Sequence, residues 1–148
     1  MMAERFDTIH EFFTYYFKAR TNLMKINQRL IEPTGLNFPS WQLVIHIATH
    51  EKYEKQGMTT AALAADLLIT RQAVQKHMKS LLDEGLICIK ENESDKRSPY
   101  YCLSDQGEAL CQRVLDEIYG EWMLNSMKDF SDAEIENAMK IMIHLTKL

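Results

Sequence analysis

Between Thr59 and Leu103 the spacing of apolar residues changes once, and that change limits the folds open to the chain. The stretch "MTTAALAADLLI" offers Thr59 or Thr60 as N-cap for a short Ala/Leu helix, and Thr70 caps a second helix running to about Asp83. A turn of about three residues between them is the spacing of a helix-turn-helix. Gly85 fits the left-handed C-cap of the second helix. Beyond it, "LICIKENESDKRSPYYCLS" holds two β-branched and aromatic runs around a polar turn, which reads as a hairpin. Matching the arms about a centre near Asp95 pairs Ile87 with Leu103, Cys88 with Cys102 and Ile89 with Tyr101. One face is then expected to be apolar throughout, and a one-residue slip would lose the match.

Helices flank this unit. Residues 8–32 have no Gly or Pro and carry Ile9, Phe12, Phe13, Tyr16, Phe17, Leu23, Met24, Ile26, Leu30 and Ile31 at helical spacings, with Pro33 and Gly35 ending the run. "PSWQLVIHIATHE" reads as a second helix, with Pro39 placed for its first turn and Trp41, Val44, Ile45 and Ala48 as its stripe. Ser104 is expected to cap one helix over "DQGEALCQRVLDEIYGEWMLNSM", and Ser131 to cap a last one. The fold class is mainly α with a small β-hairpin (α+β), organised as a single domain over 1–148. Residues 39–103 form a winged helix-turn-helix lobe, in which the hairpin is the wing, and 8–32 with 104–148 form a helical dimerisation region. The dimer follows from the terminal helix: Ile135, Met139, Met142 and Leu145 share one face while Ile141 and Ile143 lie off it. A helix apolar on two sides must be buried on two, and a second copy of the chain is the expected cover.

A chain of 148 residues suits one domain, and 46% apolar with 26% charged residues is the composition of an ordinary soluble globule. No apolar run approaches the roughly 20 residues a membrane span needs, and "MMAERFDTIHEFF" lacks the pattern of a signal peptide. A cytoplasmic location without membrane partners is expected. Three cysteines without CxxC spacing indicate neither a disulfide framework nor a zinc ribbon. The net charge of -4 opposes indiscriminate binding of polyanions. That charge is segregated: acids outnumber bases about two to one after Ser104, whereas Thr70 to Leu82 contains Arg71, Lys76, Lys79 and no acid.

On a helix from Thr70 to Asp83, the side chains Arg71, Gln72, Gln75, Lys76 and Lys79 share one face, and Ala73, Val74, His77, Met78, Leu81 and Leu82 the other. Gln suits adenine, Arg suits guanine, and Lys suits phosphate oxygens. The bland alternative is a solvated amphipathic helix. The hairpin tip, with Lys96 and Arg97, favours the DNA reading: a helix-turn-helix followed by a cationic hairpin is the winged-helix plan, with the second helix in the major groove and the wing on the backbone or minor groove.

The sequence resembles the MarR family of bacterial transcriptional regulators over nearly its whole length. The resemblance is carried by "TTAALAADLLITRQAVQKHMKSLLDEGLI", by Asp95, Lys96 and Arg97 followed by Ser98, and by "LSDQG", similar to the family's Leu-Thr-x-x-Gly with Ser104 for Thr. Lys90 stands near where the family often has Arg, and Pro99 follows the wing tip; both departures bear on wing length and tilt. The resemblance implies a homodimer on a double-stranded, pseudo-palindromic operator, with Arg97 in the minor groove and Asp95 orienting it. DNA-binding residues are then Thr70, Arg71, Gln72, Gln75, Lys76, Lys79, Asp95, Lys96, Arg97 and Ser98. Two-fold symmetry separately predicts half-sites about 10 base pairs apart. A repressor released by a small ligand is the expected mode.

Other residues are weighed against plainer roles. His46 and His50 have a spacing that chelates zinc, but two ligands are too few for a tetrahedral site; no metal and no cofactor are expected. Cys88 and Cys102 could act as a redox pair, yet small half-buried thiols are common and cytosolic disulfides rare. The family's peroxide-sensing branch uses a first-helix cysteine, and residues 8–32 have none. Phe13, Tyr16, Phe17, Arg20 and Trp41 are candidates for a pocket taking a small aromatic effector, with core packing as the alternative. No Gly-rich phosphate loop, G-x-S-x-G or zincin motif is present, so no catalytic residue is assigned and an enzyme is not expected. The competing class is a helical dimeric adaptor that binds protein partners without DNA, which leaves the acid-free face of residues 70–82 unexplained.

Overall fold

The computed structural model describes residues 1–148. The elements run α1 (Met2–Ile31), α2 (Phe38–Glu54), α3 (Thr60–Leu67), α4 (Arg71–Asp83), β1 (Ile87–Lys90), β2 (Tyr100–Leu103), α5 (Asp105–Val114), α6 (Gly120–Met127) and α7 (Asp132–Leu145). This is the mainly helical chain with one antiparallel hairpin that the periodicity predicts. It divides into two compact units, Met1–Gln112 and Arg113–Leu148.

In the first unit, α1 begins at Met2 rather than Thr8, because nothing in "MAERFD" breaks a helix and Glu4 in the first turn suits the positive end of the helix dipole. A 3-10 turn at Glu32–Thr34 and a left-handed Gly35 (φ 75°) close it. The Gln28 side chain accepts a 3.0 Å hydrogen bond from Phe38 N, fixing the entry to α2. Asn37 caps α2 by accepting from Ser40 N at 2.9 Å.

Short α3 has eight residues, too few to be stable alone, so packing must hold it. Thr59, not Thr60, caps it, and Leu63 and Ala64 are buried. They join a core of Leu43, Val44 and Ile47 from α2, Val74, Met78 and Leu81 from α4, and Leu86, Ile87 and Cys102 from the hairpin. Burying each large apolar side chain contributes roughly 1.5–3 kcal/mol, so the core fixes how α4 is presented.

The hairpin has the expected register, Ile87 opposite Leu103, Cys88 opposite Cys102 and Ile89 opposite Tyr101. Its burial differs from expectation. The face of Ile87 and Ile89 is not covered throughout: Ile89 is 52% exposed, whereas Cys102, on the opposite face, is 1% exposed. The reason lies at the end of α2, where the Glu51 carboxylate accepts from Leu103 N at 3.1 Å and β2 is packed from that side. Met58 adds an isolated bridge to β2 by exchanging two backbone hydrogen bonds with Tyr101, at 2.9 and 2.8 Å. Beside it Gly57 has no room for a side chain, since a Cβ there would overlap the Tyr101 carbonyl and stand 2.5 Å from Cys102 Sγ.

The single helix expected over 105–127 is interrupted. A π-turn at Leu115–Tyr119 separates α5 from α6, and Gly120 N donates to Leu115 O. A Cβ on Gly120 would stand 2.8 Å from that oxygen, so the glycine is what permits the wide turn. Ser131 caps α7 as expected, and Glu134 completes a capping box that holds its carboxyl below the usual range through hydrogen bonds from the Ser131 backbone and hydroxyl. Met123, Leu124 and Met127 of α6 and Met139, Ile141, Met142 and Ile143 of α7 are exposed. No helix is long and apolar enough to cross a membrane.

Candidate nucleic-acid interface

The sequence of α4 divides it cleanly. Val74, Met78 and Leu81 are at most 1% exposed, and Ala73, His77 and Leu82 are half-buried around them. Arg71, Gln72, Gln75, Lys76 and Lys79 are all exposed, so the structure brings these five predicted residues together on one open face. Thr70 is at the same end, but its hydroxyl oxygen accepts from Ala73 N at 3.1 Å; its role here is to start the helix. Its cap leaves the first-turn amides directed along the helix axis with no acidic side chain in that turn, an arrangement suited to phosphate oxygens.

Contacts behind the helix fix its pose. The turn before it holds Leu68 left-handed at φ 55°, with Ile69 N bonded to Ala64 O at 3.1 Å. His46 Nε2 meets Asp66 Oδ2 at 3.2 Å, which links α2 to α3. That contact gives His46 a structural partner, and no group of three or more His, Cys, Asp or Glu is arranged to hold a metal ion. Ser40 Oγ meets His77 Nδ1 at 3.3 Å, which links α2 to the inner side of α4. Burial, and then the neighbouring Lys76 charge, push the His77 pKa down.

At the wing, Lys96 and Arg97 lie at the exposed tip as expected. Arg97 Nε stands 3.6 Å from Asp95 Oδ1, and Arg97 N donates to the same oxygen at 3.1 Å. The Arg97 side chain is 95% exposed, so the ion pair orients it only weakly and the backbone bond does more to shape the loop. Lys96 Nζ lies 3.6 Å from Glu91 Oε1. Ser98 is half-buried, and its backbone rather than its hydroxyl holds the loop, donating from N to Asp95 O at 3.0 Å. Sequence reasoning passed over Asn92, whose amide donates to Ser98 O at 2.9 Å; a polar residue at the end of a strand gave no periodic signal.

The candidate effector residues are not gathered around one cavity. Phe13 stacks on Phe17 along α1 and Tyr16 meets Phe17 edge to face, with Phe13 and Phe17 exposed, and Arg20 is exposed beyond them. Trp41 is buried in the core. A groove of about 680 Å³ between α1 and α2 is lined instead by Asn22, Met24, Lys25, Gln28, Arg29, Phe38 and Pro39. Cys88 and Cys102 are reduced, and burial pushes the Cys102 thiol pKa up. Cys111, buried in α5, is pushed up to about 11, mainly by burial.

Comparison with known proteins agrees with this geometry. The sequence profile of the MarR family matches residues 34–98, the span from the end of α1 to the wing tip. An HTH-type transcriptional regulator of Staphylococcus aureus strain MSSA476 is 21% identical over 139 residues, 93% of this chain and 92% of that protein. Two solved structures share the fold. Staphylococcus aureus MarR in complex with salicylate and kanamycin is 20% identical with a TM-score of 0.74, covering 92% of this chain and 88% of its own. A mutant MarR from E. coli in complex with operator DNA is 14% identical with a TM-score of 0.76, covering 95% and 96%. The chain thus matches the MarR family profile across its helix-turn-helix and wing, and shares its fold with MarR structures over nearly its full length.

Proposed function

We propose that the protein is a sequence-specific DNA-binding regulator of transcription, acting as a homodimer on a pseudo-palindromic operator, and that it is a repressor released by a small ligand. The observation that carries this reading is the face of α4: five exposed cations and amides without an acid, seated on a buried row of Val74, Met78 and Leu81 and followed at once by a wing with Lys96 and Arg97 at its tip. Gln75 and Arg71 are suited to base edges, Lys76 and Lys79 to phosphates. The E. coli relative's complex with operator DNA supports the same use of the fold.

Dimerisation is supported by the apolar surface left open on the terminal helices. Phe6, Phe17, Leu124 and Ile143 are each more than half exposed, which a monomer in water does not favour. A ligand is supported by the groove beside α1, whose apolar lining ends in Lys25 and Arg29 and would suit an anionic aromatic molecule. Phe13, Tyr16, Phe17 and Arg20 stand on the same helix but outside the lining of that groove. With its DNA in the cytoplasm, the protein works there.

The test is a gel-shift titration of the purified protein against duplexes from its own upstream region, repeated from 50 to 200 mM salt. The reading expects one fragment to be bound tightly over competitor DNA, with affinity falling by orders of magnitude across that range as counterions are released, in the manner of about 6–10 phosphate contacts. Weak binding indifferent to salt would instead favour the adaptor that recognises protein alone.

A further inference from the structure

Asn92 is a buried residue in an exposed loop. Every residue from Glu93 to Arg97 is exposed, yet Asn92 is only 7% exposed. An apolar side chain would take such a place at lower cost, since a buried amide must be hydrogen-bonded. Asn92 meets that requirement from both ends of its amide: Nδ2 donates to Ser98 O at 2.9 Å, and Oδ1 accepts from Ser94 N at 3.2 Å. Its own carbonyl accepts from Asp95 N at 3.2 Å. Asp95 supplies the remaining bonds, accepting at its carbonyl from Ser98 N at 3.0 Å and at Oδ1 from Arg97 N at 3.1 Å. The loop from 92 to 98 is therefore closed on itself, and the single link that spans its full width is the Asn92 amide to Ser98.

Arg97 needs such support. Its guanidinium touches only Asp95, at 3.6 Å, and its side chain is 95% exposed, so its direction is set by the backbone it leaves. We propose that Asn92 is the positioning residue of the wing: it fixes the loop from which Arg97 projects and strengthens DNA binding through Arg97 without itself meeting DNA. An ordered loop loses less conformational freedom when it docks, which is how preorganisation raises affinity. The proposal rests on the DNA-binding reading above.

The test is a double-mutant cycle on a duplex that the wild-type protein selects from a randomised pool. Affinities are measured at one salt concentration for wild type, Asn92→Ala, Arg97→Ala and the double variant, with thermal melting of each. Asn92→Ala is expected to bind about 3- to 10-fold more weakly at an unchanged melting temperature. The double variant is expected to bind no more weakly than Arg97→Ala alone, because a residue acting through Arg97 has nothing left to act on. Should Asn92→Ala melt early, Asn92→Ser carries the same cycle. If wild type selects no duplex at all, the DNA reading falls and this one with it. If wild type binds but Asn92→Ala binds equally well, or the two losses simply multiply, the role of Asn92 is overturned and the DNA reading stands.

Discussion

Ser104 Oγ donates a 2.6 Å hydrogen bond to the carbonyl oxygen of Gly85, so the residue that starts α5 also fastens the end of α4. The same oxygen accepts from Gly107 N at 3.0 Å, and Ser104 N donates to Leu86 O at 3.1 Å. Ser104 thus joins the exit of α4, the residue before β1 and the start of α5. Gly85 and Leu86 are separated from Ser104 in sequence only by the hairpin.

Ser104→Ala removes both the cap and the tie to Gly85. The expected loss is about 1–2 kcal/mol of stability, the range for losing a good N-cap, while Ser104→Thr keeps the hydroxyl and stays close to wild type. Urea unfolding of the three proteins measures this. Equal midpoints for Ser104→Ala and wild type would mean the hydroxyl contributes nothing net.

Gly107 explains the fixed spacing in "LSDQG". A Cβ there would overlap the Leu86 carbonyl, and backbone has no rotamer with which to move aside. Gly107→Ala is therefore expected to cost about 3 kcal/mol, at the upper end of ordinary point substitutions. Gly35 makes the contrast, because nothing lies within 4 Å of its missing side chain and only its φ of 75° resists an alanine. Gly35→Ala should cost about 1–2 kcal/mol, the strain of a left-handed residue. The ranking by denaturant midpoint, 107 worse than 35, separates close approach from backbone conformation.

These two glycines show what a sequence discloses and what it hides. The helix-turn-helix caps at Thr59 and Thr70, the left-handed Gly85 and the register of Cys88 with Cys102 were legible because each has a local or periodic signature. The polar face of α4 was legible for the same reason. The bridge at Met58 was not, since it joins residues 58 and 101 and no short-range pattern links them. Likewise the π-turn before Gly120 inserts one residue into a helix whose apolar spacing hardly changes. Asn92 escaped because its work is done by an amide and three backbone groups, which leave no trace in hydrophobic periodicity. Trp41 belongs to the core because the start of α2 is buried there, whereas the aromatic residues of α1 lie on an open surface.

His77 makes stability depend on pH. Its folded-state pKa lies below 6.5, so the unfolded chain takes up a proton over a range where the folded chain does not. The contribution of neutral His77 is fully present above about 6.5 and is lost as pH falls through the folded value. His77→Gln retains an amide for Ser40 and cannot be charged. Melting curves of the two proteins should run parallel above pH 7 and separate as pH falls below 6.5, with wild type losing more. Parallel curves throughout would show that the ring is free to protonate in place.

Gln75 and Lys79 occupy the same exposed face of α4, one turn apart, yet they should fail differently. An amide that reads a base edge contributes mainly to discrimination, so Gln75→Ala is expected to lose about 1–3 kcal/mol on the preferred operator and little on non-specific duplex. A lysine on phosphate contributes through counterion release whatever the sequence, so Lys79→Ala is expected to weaken both duplexes alike and to lower the slope of log affinity against log salt by about 1 per lysine. Val74, Met78 and Leu81 do not change in either variant, so both should melt as wild type does, which keeps the comparison to the exposed face alone. If Gln75→Ala instead weakened both duplexes equally and flattened the salt slope, Gln75 would be a backbone contact, and the assignment of bases and phosphates along α4 would have to be reversed.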